Sequence, residues 1–557
     1  MDDRILVLAL ENAIKFKGKA NPKALIGRII AEFPEAKEDM KKTQEKINKI
    51  VNDVNEMSLY EQEVMLKEFS PDHSLKKEKK EKKLNLFGHL NISKDKKVRT
   101  AFPPGVEKYP HIGHAKAYLV NYLLAKEHNG TFILRFEDTN PELVQKEFYE
   151  TMKDNFAWLD AKWDELYYAS DFMEDYYKYA EKLIDEGKAY VCFCDGETIK
   201  KSRQDAVPCE CRTKKTEENK TYWEKLSSYN EGEAIVRLKI DLAHQNSTMR
   251  DPSIFRINKT PHARQGDKYK VWPTYDFQTA VSDGVTEITH RFRSKEFEMR
   301  RELQQWIQEA CGLPVTSIEH FARFNMEGVL SSGRVIREKI QNKELVGWDD
   351  PTLTTLVALR RRGFLPEAIK NFLISTGITK SESTLTWDDL IMHNKRLLDK
   401  GAMRYFFVRD PVKVKVENAP KAEFELRKHP EDLDKGYRKF NTGGEFYLCS
   451  EDIEDLKEGE IVRLIDGFNI QKKDDGFCFY SQELEDYKSH GKRVVHWLPA
   501  GEENINAKVM MPEKTVVEGI AEKDVKEIEE GSVIQFERFG FCRLDEKEKM
   551  SFWFTHR

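Results

Sequence analysis

Apolar residues recur at helical spacing through roughly the first 70 positions, as in Leu25-Ile26 followed by Ile29-Ile30, and predict helices there. The charged run Lys-Lys-Glu-Lys-Lys-Glu-Lys-Lys (76–83) then reads as a solvated linker. Between residues 96 and 330 apolar strand patterns alternate with helical ones, which predicts a parallel sheet with crossover helices. Helical segments dominate 335–400. From about residue 402 short alternating strands take over, such as Tyr-Phe-Phe-Val (405–408), Val-Lys-Val-Lys-Val (412–416), Arg-Val-Val-His-Trp-Leu (493–498) and the stretch 533–543. Their frequent turn residues predict one or two β-barrels.

A chain of 557 residues exceeds one hydrophobic core and predicts about three to five domains. The net charge of -5 excludes a uniformly basic nucleic-acid glove, so any such contact must come from local patches. No apolar run reaches membrane-spanning length. The start, Met-Asp-Asp-Arg, lacks the basic and apolar segments of a secretory signal, and a cytoplasmic location is expected. Eight cysteines in this length do not suggest a disulfide scaffold.

The chemistry concentrates around His-Ile-Gly-His (111–114). Val-Arg-Thr-Ala-Phe-Pro-Pro-Gly (98–105) precedes it, and Phe-Ile-Leu-Arg-Phe-Glu-Asp-Thr-Asn (132–140) follows one helix length later. This reads as strand, loop, helix, strand, with the helix starting at the histidines. A helix start offers free N–H groups and a positive dipole end, which favour an anion. His111 and His114, three apart, face the same way and suit a nucleotide phosphate; the alternative is a pair that only caps the helix. Glu137 ends the second strand, where a parallel sheet lines its ligand crevice.

Four ordered blocks resemble class I aminoacyl-tRNA synthetases, specifically the glutamyl/glutaminyl group of archaeal and eukaryotic type. They are Pro-His-Ile-Gly-His-Ala-Lys (110–116), Leu-Arg-Phe-Glu-Asp-Thr-Asn-Pro (134–141), Trp-Pro-Thr-Tyr-Asp-Phe (272–277), and Gly-Trp-Asp-Asp-Pro (347–351) followed by Leu-Arg-Arg-Arg-Gly (359–363). The resemblance implies an α/β fold. A helical N-terminal extension and linker (1–95) would precede a Rossmann-type catalytic domain in two halves (96–190 and 266–335). An acceptor-end-binding insertion (191–265) would separate the halves, and a helical connector (336–400) would lead to β-barrel anticodon-binding domains (401–557). It further implies that Pro104, His111, Gly113, His114 and Arg334 serve ATP, that Glu137 holds the amino group of the amino acid and that Tyr275 lines its pocket. Arg360, Arg361 and Arg362 would meet tRNA phosphates.

Within this group the choice of amino acid falls on Ile-Thr-His-Arg-Phe-Arg-Ser-Lys-Glu-Phe (288–297). Glutamyl enzymes resembling this chain carry arginine three residues after the Thr-His pair, and glutaminyl enzymes an uncharged residue, commonly cysteine. Arg293 stands there. A guanidinium pairs with a γ-carboxylate through two charge-assisted bonds, whereas an amide offers one oxygen and a clashing NH2. Arg291 is read as facing the other side of the strand from Arg293, a solvent- or tRNA-facing cation.

Two positions depart from the family pattern. Ala101 replaces an arginine that contacts the amino acid, and Arg99, two residues earlier on the same strand face, is the candidate substitute. Ser332 replaces the lysine of a mobile phosphate-binding loop, leaving Arg334 to reach phosphate by another route. Cys192, Cys194, Cys209 and Cys211 form two Cys-x-Cys pairs and are a candidate tetrahedral zinc set, with free thiols as the alternative. The expected activity is a glutamate–tRNA ligase using L-glutamate, ATP with Mg2+, and tRNA(Glu), with tRNA(Gln) as a second acceptor left open. A monomer is expected, alone or within a larger translation complex. The rival readings are a glutaminyl enzyme, a tRNA-modifying relative without charging, and a tRNA-binding protein without catalysis.

Overall fold

The computed structural model describes the chain except for residues 1, 16–18, 38, 58–61, 63–64, 67–84, 91, 94–96 and 475. The charged run 76–83 lies outside the described residues. The chain divides into two units, Met1–Asn85 and Leu86–Arg557. The first is helical: α1 (Asp2–Lys15), α2 (Pro22–Glu32) and α3 (Met40–Glu56). Leu25 and Ile29, one turn apart, are buried with Ile47, Val51 and Val54 of α3 and Ile5 and Leu8 of α1, as the helical spacing predicts. Asn21 caps α2 by accepting from the Lys23 N–H at 3.0 Å, and Pro22 fills the first position, where no donor is needed.

The second unit is built on a five-stranded, all-parallel sheet. Its strands are β1 (Arg99–Phe102), β2 (Thr131–Phe136), β3 (Glu165–Tyr168), β8 (His290–Ser294) and β9 (Ser317–Phe321), ordered β3-β2-β1-β8-β9. Helix α4 (Ile112–Glu127) crosses from β1 to β2, so the strand order reverses between β1 and β8. That reversal opens a crevice at the carboxyl ends of these two strands. β2 is buried on both faces, which explains its continuous apolar run. Between β3 and β8 an antiparallel sheet is inserted, β4 (Ala189–Cys192), β5 (Ile235–Leu238), β6 (Ser253–Ile257) and β7 (Val271–Pro273). Helix α5 (Tyr275–Val285) then returns the chain over the parallel sheet.

After α6 (Gly333–Gln341) and α7 (Leu356–Arg361), and two further helices ending at Gly401, the remaining chain forms two seven-stranded mixed sheets and a two-stranded ribbon. The sequence predicts strands here, and 412–416 falls within Pro411–Glu417. The predicted strand 405–408 is broken at Phe406, whose ring enters one core while Phe407 enters the other. Arg438, nearly solvent-free, ties the two β regions together by pairing with Glu522 at 2.6 Å and with Glu537.

Gly363 ends α7 with φ +90°, and a Cβ there would lie 2.7 Å from Thr555 Oγ1 and 3.0 Å from Val533 Cγ2. Both the backbone conformation and the close approach to the C-terminal strands require glycine. Gly363→Ala is expected to cost about 1–3 kcal/mol, seen as a lower urea midpoint. An unchanged midpoint would refute this account of the junction.

Candidate active site

The crevice is a cavity of about 920 Å3 lined by the loop after β1, the start of α4, the ends of β2 and β8, the start of α5 and residues 321–331. A Glu137 N–H bond to the Pro104 carbonyl, 2.9 Å, pins the loop to the end of β2. The start of α4 is fixed from the other side, by Ile112 N–H to Thr354 O at 3.0 Å and Leu356 N–H to Pro110 O at 2.9 Å.

His111 and His114 both line this cavity, and they also cap the helix. His111 Nδ1 accepts from the Gly113 N–H (3.0 Å) and His114 Nδ1 from the His111 N–H (3.2 Å), with the rings 4.0 Å apart. Capping therefore uses Nδ1 of each ring and leaves the phosphate reading to Nε2. A δ nitrogen that accepts places the proton on Nε2, which leaves an N–H donor on each ring. Burial, reinforced by Lys108 and Arg323, lowers the His111 pKa to about 3, and burial and His111 push His114 well below its ordinary value. Both rings are neutral donors. A Cβ on Gly113 would sit 2.8 Å from His111 Cε1, so the close approach this glycine permits here is that of the His111 ring.

The wall opposite carries buried charge. Glu137 accepts from Thr279 Oγ1 (2.9 Å) and Gln278 Nε2 (3.2 Å) and lies 3.3 Å from Arg135. Asp283, on α5, faces Arg135 at 2.8 Å and also pairs with Arg291. Burial opposes its charge, but Arg291 and Arg135 outweigh it and hold the carboxyl below the usual range. Arg293, 5% exposed, donates to Gln304 Oε1 (2.7 Å) and to the Tyr275 hydroxyl, and lies 4.5 Å over the Phe297 ring. Its partners are neutral, and it makes no ion pair among the described residues. Burial lowers its pKa.

Several sequence expectations are corrected. Arg99 lies at the amino end of β1, away from the cavity, in a two-pronged pair with Glu165 (2.9 Å each), so it does not substitute for the residue missing at Ala101. Arg291 is not solvent-facing: it is 1% exposed and lines the cavity, because residues two apart on a strand share a face. Arg360, Arg361 and Arg362 are not one RNA-facing row. Arg362 is buried, donating to Pro351 and Thr555 carbonyls (3.0 Å each). Arg361 is held by Asp349 (2.6 Å) and Asp545 (2.7 Å), and only Arg360 keeps an open face. Arg334 is exposed on α6 and outside the cavity lining, although Ser331 is part of it.

The sequence reading missed Lys108, Lys116 and Arg323, which line the cavity near the histidines. Lys116 belongs to the His-Ile-Gly-His-Ala-Lys block, which was its one signal in the sequence. It is 4% exposed, lies 5.2 Å from the Phe321 ring centre, and has its pKa lowered by burial to about 8.

In the insertion the four thiols of Cys192, Cys194, Cys209 and Cys211 lie within 4.8 Å of one another, with Cys192–Cys209 at 3.9 Å and Cys194–Cys211 at 4.0 Å. A tetrahedral zinc with bonds of about 2.3 Å separates its sulfurs by about 3.8 Å, so the donor set fits that ion.

A doubly wound sheet whose switch point faces a His-Ile-Gly-His helix start, joined to β-rich C-terminal regions, has the architecture of a class I tRNA synthetase. The catalytic-domain model of the class I tRNA synthetases (E and Q) matches residues 97–400, and two anticodon-binding-domain models of the same family match 402–476 and 494–545. The chain belongs to this family. Similar along the whole chain are glutamate–tRNA ligases of Pyrococcus furiosus (40% identical over 571 residues, 99% of each chain) and Methanocaldococcus jannaschii (39% over 563 residues, 100% of each). A solved glutamate tRNA ligase from Elizabethkingia meningosepticum covers 55% of this chain and 70% of its own at 19% identity and TM-score 0.42.

The two buried rings generate a pH expectation. Their folded pKa values lie below the unfolded value of 6.5. Between about 6.5 and 3 the unfolded chain therefore binds protons that the folded one does not, so their contribution lowers stability as pH falls through that window and is constant above it. Imidazole 15N spectra should show both rings neutral and Nε2-protonated from pH 8 to pH 5. A ring titrating near 6.5 would contradict the assignment.

Proposed function

We infer that the chain is a glutamate–tRNA ligase. The observation that carries this reading is Arg293, a buried cation at the cavity wall whose partners are the neutral Gln304 and Tyr275. A γ-carboxylate supplies the missing charge. Glutamine does not, and leaving a buried charge unpaired costs about 3–5 kcal/mol, a discrimination of a hundredfold or more. Glu137 suits the α-ammonium group, and Tyr275 closes the pocket.

In the first step an α-carboxylate oxygen bonds to the α-phosphorus of ATP, and the bond from that phosphorus to pyrophosphate breaks. Charge on the phosphate oxygens is met by the Nε2–H groups of His111 and His114, the N-terminus of α4, and Lys108, Lys116 and Arg323, the last of them exposed and paired with Glu296. ATP enters as its Mg2+ complex. In the second step the terminal ribose hydroxyl of tRNA attacks the acyl carbon and AMP leaves. The insertion (191–265) would receive the acceptor end and the β-rich region (401–557) the anticodon, with Arg360 as a phosphate contact. No described helix is long and apolar enough to cross a membrane. A cytoplasmic site of action follows from the role in translation.

We further propose that the four clustered cysteines hold a structural zinc that clamps the end of β4 to the turn at 209–213. With four thiolate ligands the ion keeps no open position for catalysis.

Pyrophosphate exchange and tRNA charging test the first reading: both should proceed with glutamate, exchange only in the presence of tRNA, and Arg293→Cys should lower the glutamate-over-glutamine preference by a hundredfold or more. Exchange driven by glutamine in the native chain, or an unchanged preference in the variant, would reject it. For the zinc, metal analysis should find one ion per chain, and Cys194→Ser should lose it and melt at lower temperature. A metal-free folded chain with all four thiols reactive would rule the ion out.

A further inference from the structure

Arg291 is among the largest fully buried side chains of the molecule, yet it contributes to the cavity wall. It stands two residues before Arg293 on β8 and so shares its face, while Phe292 between them packs on the other side with Phe87 and Phe321. One end of its guanidinium donates to Asp283, and its Nε–H has no hydrogen-bond partner among the described residues. Asp283 is not its private counter-ion, because the same carboxylate faces Arg135 at 2.8 Å.

The charges on this wall do not balance. Arg135, Arg291 and Arg293 contribute three positive charges and Asp283 and Glu137 two negative ones, and all five side chains are at most 6% exposed. The remainder is one positive charge held out of water. Glutamate as a zwitterion brings one negative charge and closes the count; glutamine, net neutral, leaves it open. The α-carboxylate must stay free to reach phosphorus, so the γ-carboxylate is the group that enters this wall.

The neighbouring strand makes room for such a contact. β1 pairs with β8 in parallel, Thr100 opposite His290, so Ala101 comes level with Arg291. Ala101 is fully buried and its side chain ends at Cβ, so at this level no longer side chain from β1 fills the space beside Arg291.

We propose that Arg291 is a second specificity-determining residue, receiving the γ-carboxylate of glutamate jointly with Arg293 and supplying from β8 the cation that position 101 on β1 lacks. This rests on reading the cavity as the glutamate site. Arg291→Gln should raise the KM for glutamate in pyrophosphate exchange at least about tenfold, with the KM for ATP within about twofold, and Arg291→Lys should recover part of the loss. The double variant Ala101→Arg/Arg291→Ala, which returns one guanidinium to the same face from β1, should restore more activity than Arg291→Gln. A folded Arg291→Gln with unchanged glutamate KM, or one in which both KM values rise together, would overturn the proposal. Should that variant fail to melt cooperatively, a crystal structure of the native chain with L-glutamate decides. A γ-carboxylate oxygen within hydrogen-bond distance of the Arg291 guanidinium supports the proposal, and an Arg291 that touches only Asp283 refutes it. A native chain with no glutamate-dependent exchange would instead sink the ligase reading itself.

Discussion

An excess of positive charge held out of water at the end of a parallel sheet is the constraint that organises this molecule. Arg135, Arg291 and Arg293 project from β2 and β8 onto one face, under a helix whose Asp283 meets Arg135 and Arg291 and whose Asp276 meets Gln304 and Arg300. Such an arrangement is costly in an empty site, because burying an unpaired charge opposes folding. The surrounding structure limits that cost with neutral donors and acceptors: Gln304 and Tyr275 on Arg293, Thr279 and Gln278 on Glu137. Neutral partners stabilise these charges only in part, so a ligand of the opposite sign would complete them.

The architecture was largely legible in the sequence because its signals are local. The period of apolar residues marked the N-terminal helices, the alternating β/α unit and the β-rich end. The His-Ile-Gly-His block marked the helix start that faces the crevice. Arg293 was legible because its spacing from Thr289-His290 fixes which end of the strand it occupies. Arg99 was misjudged for the complementary reason: it shares a face with Ala101 but sits at the amino end of β1, far from where a parallel sheet opens its site, and Glu165 meets it there. Arg291 was misjudged on the parity of the strand, which places it beside Arg293.

The tract 360–362 shows a different limit. Three adjacent arginines on a helix must point in three directions, and composition does not say what lies in each. In the structure one faces outward, one is fixed by Asp349 and Asp545, and one is buried against carbonyl oxygens and the Trp387 ring. Asp545 and Thr555 are nearly two hundred residues away in sequence. Only the tertiary fold brings them to the helix, so the same residue type serves as a rivet in two cases and as surface charge in the third.

The phosphate end of the cavity extends the reasoning to the absent lysine at Ser332. A mobile loop that carries a cation to the triphosphate is one way to neutralise developing charge; a fixed wall of cations is another. Lys108 and Lys116 form such a wall beside two histidines that burial keeps neutral, and Arg323, exposed and paired with Glu296, lies near them. Neutral rings suit this setting, since two imidazolium ions 4 Å apart beside three cations would repel one another in a water-poor cleft. On the proposed reading the histidines would supply directed N–H donors and the lysines and arginine charge, a division of labour that would lower the demand on the loop. Gly333 keeps contact with this wall, since a Cβ there would meet Lys108 Cδ at 2.7 Å. The loop thus packs against a cation already in place rather than bringing its own.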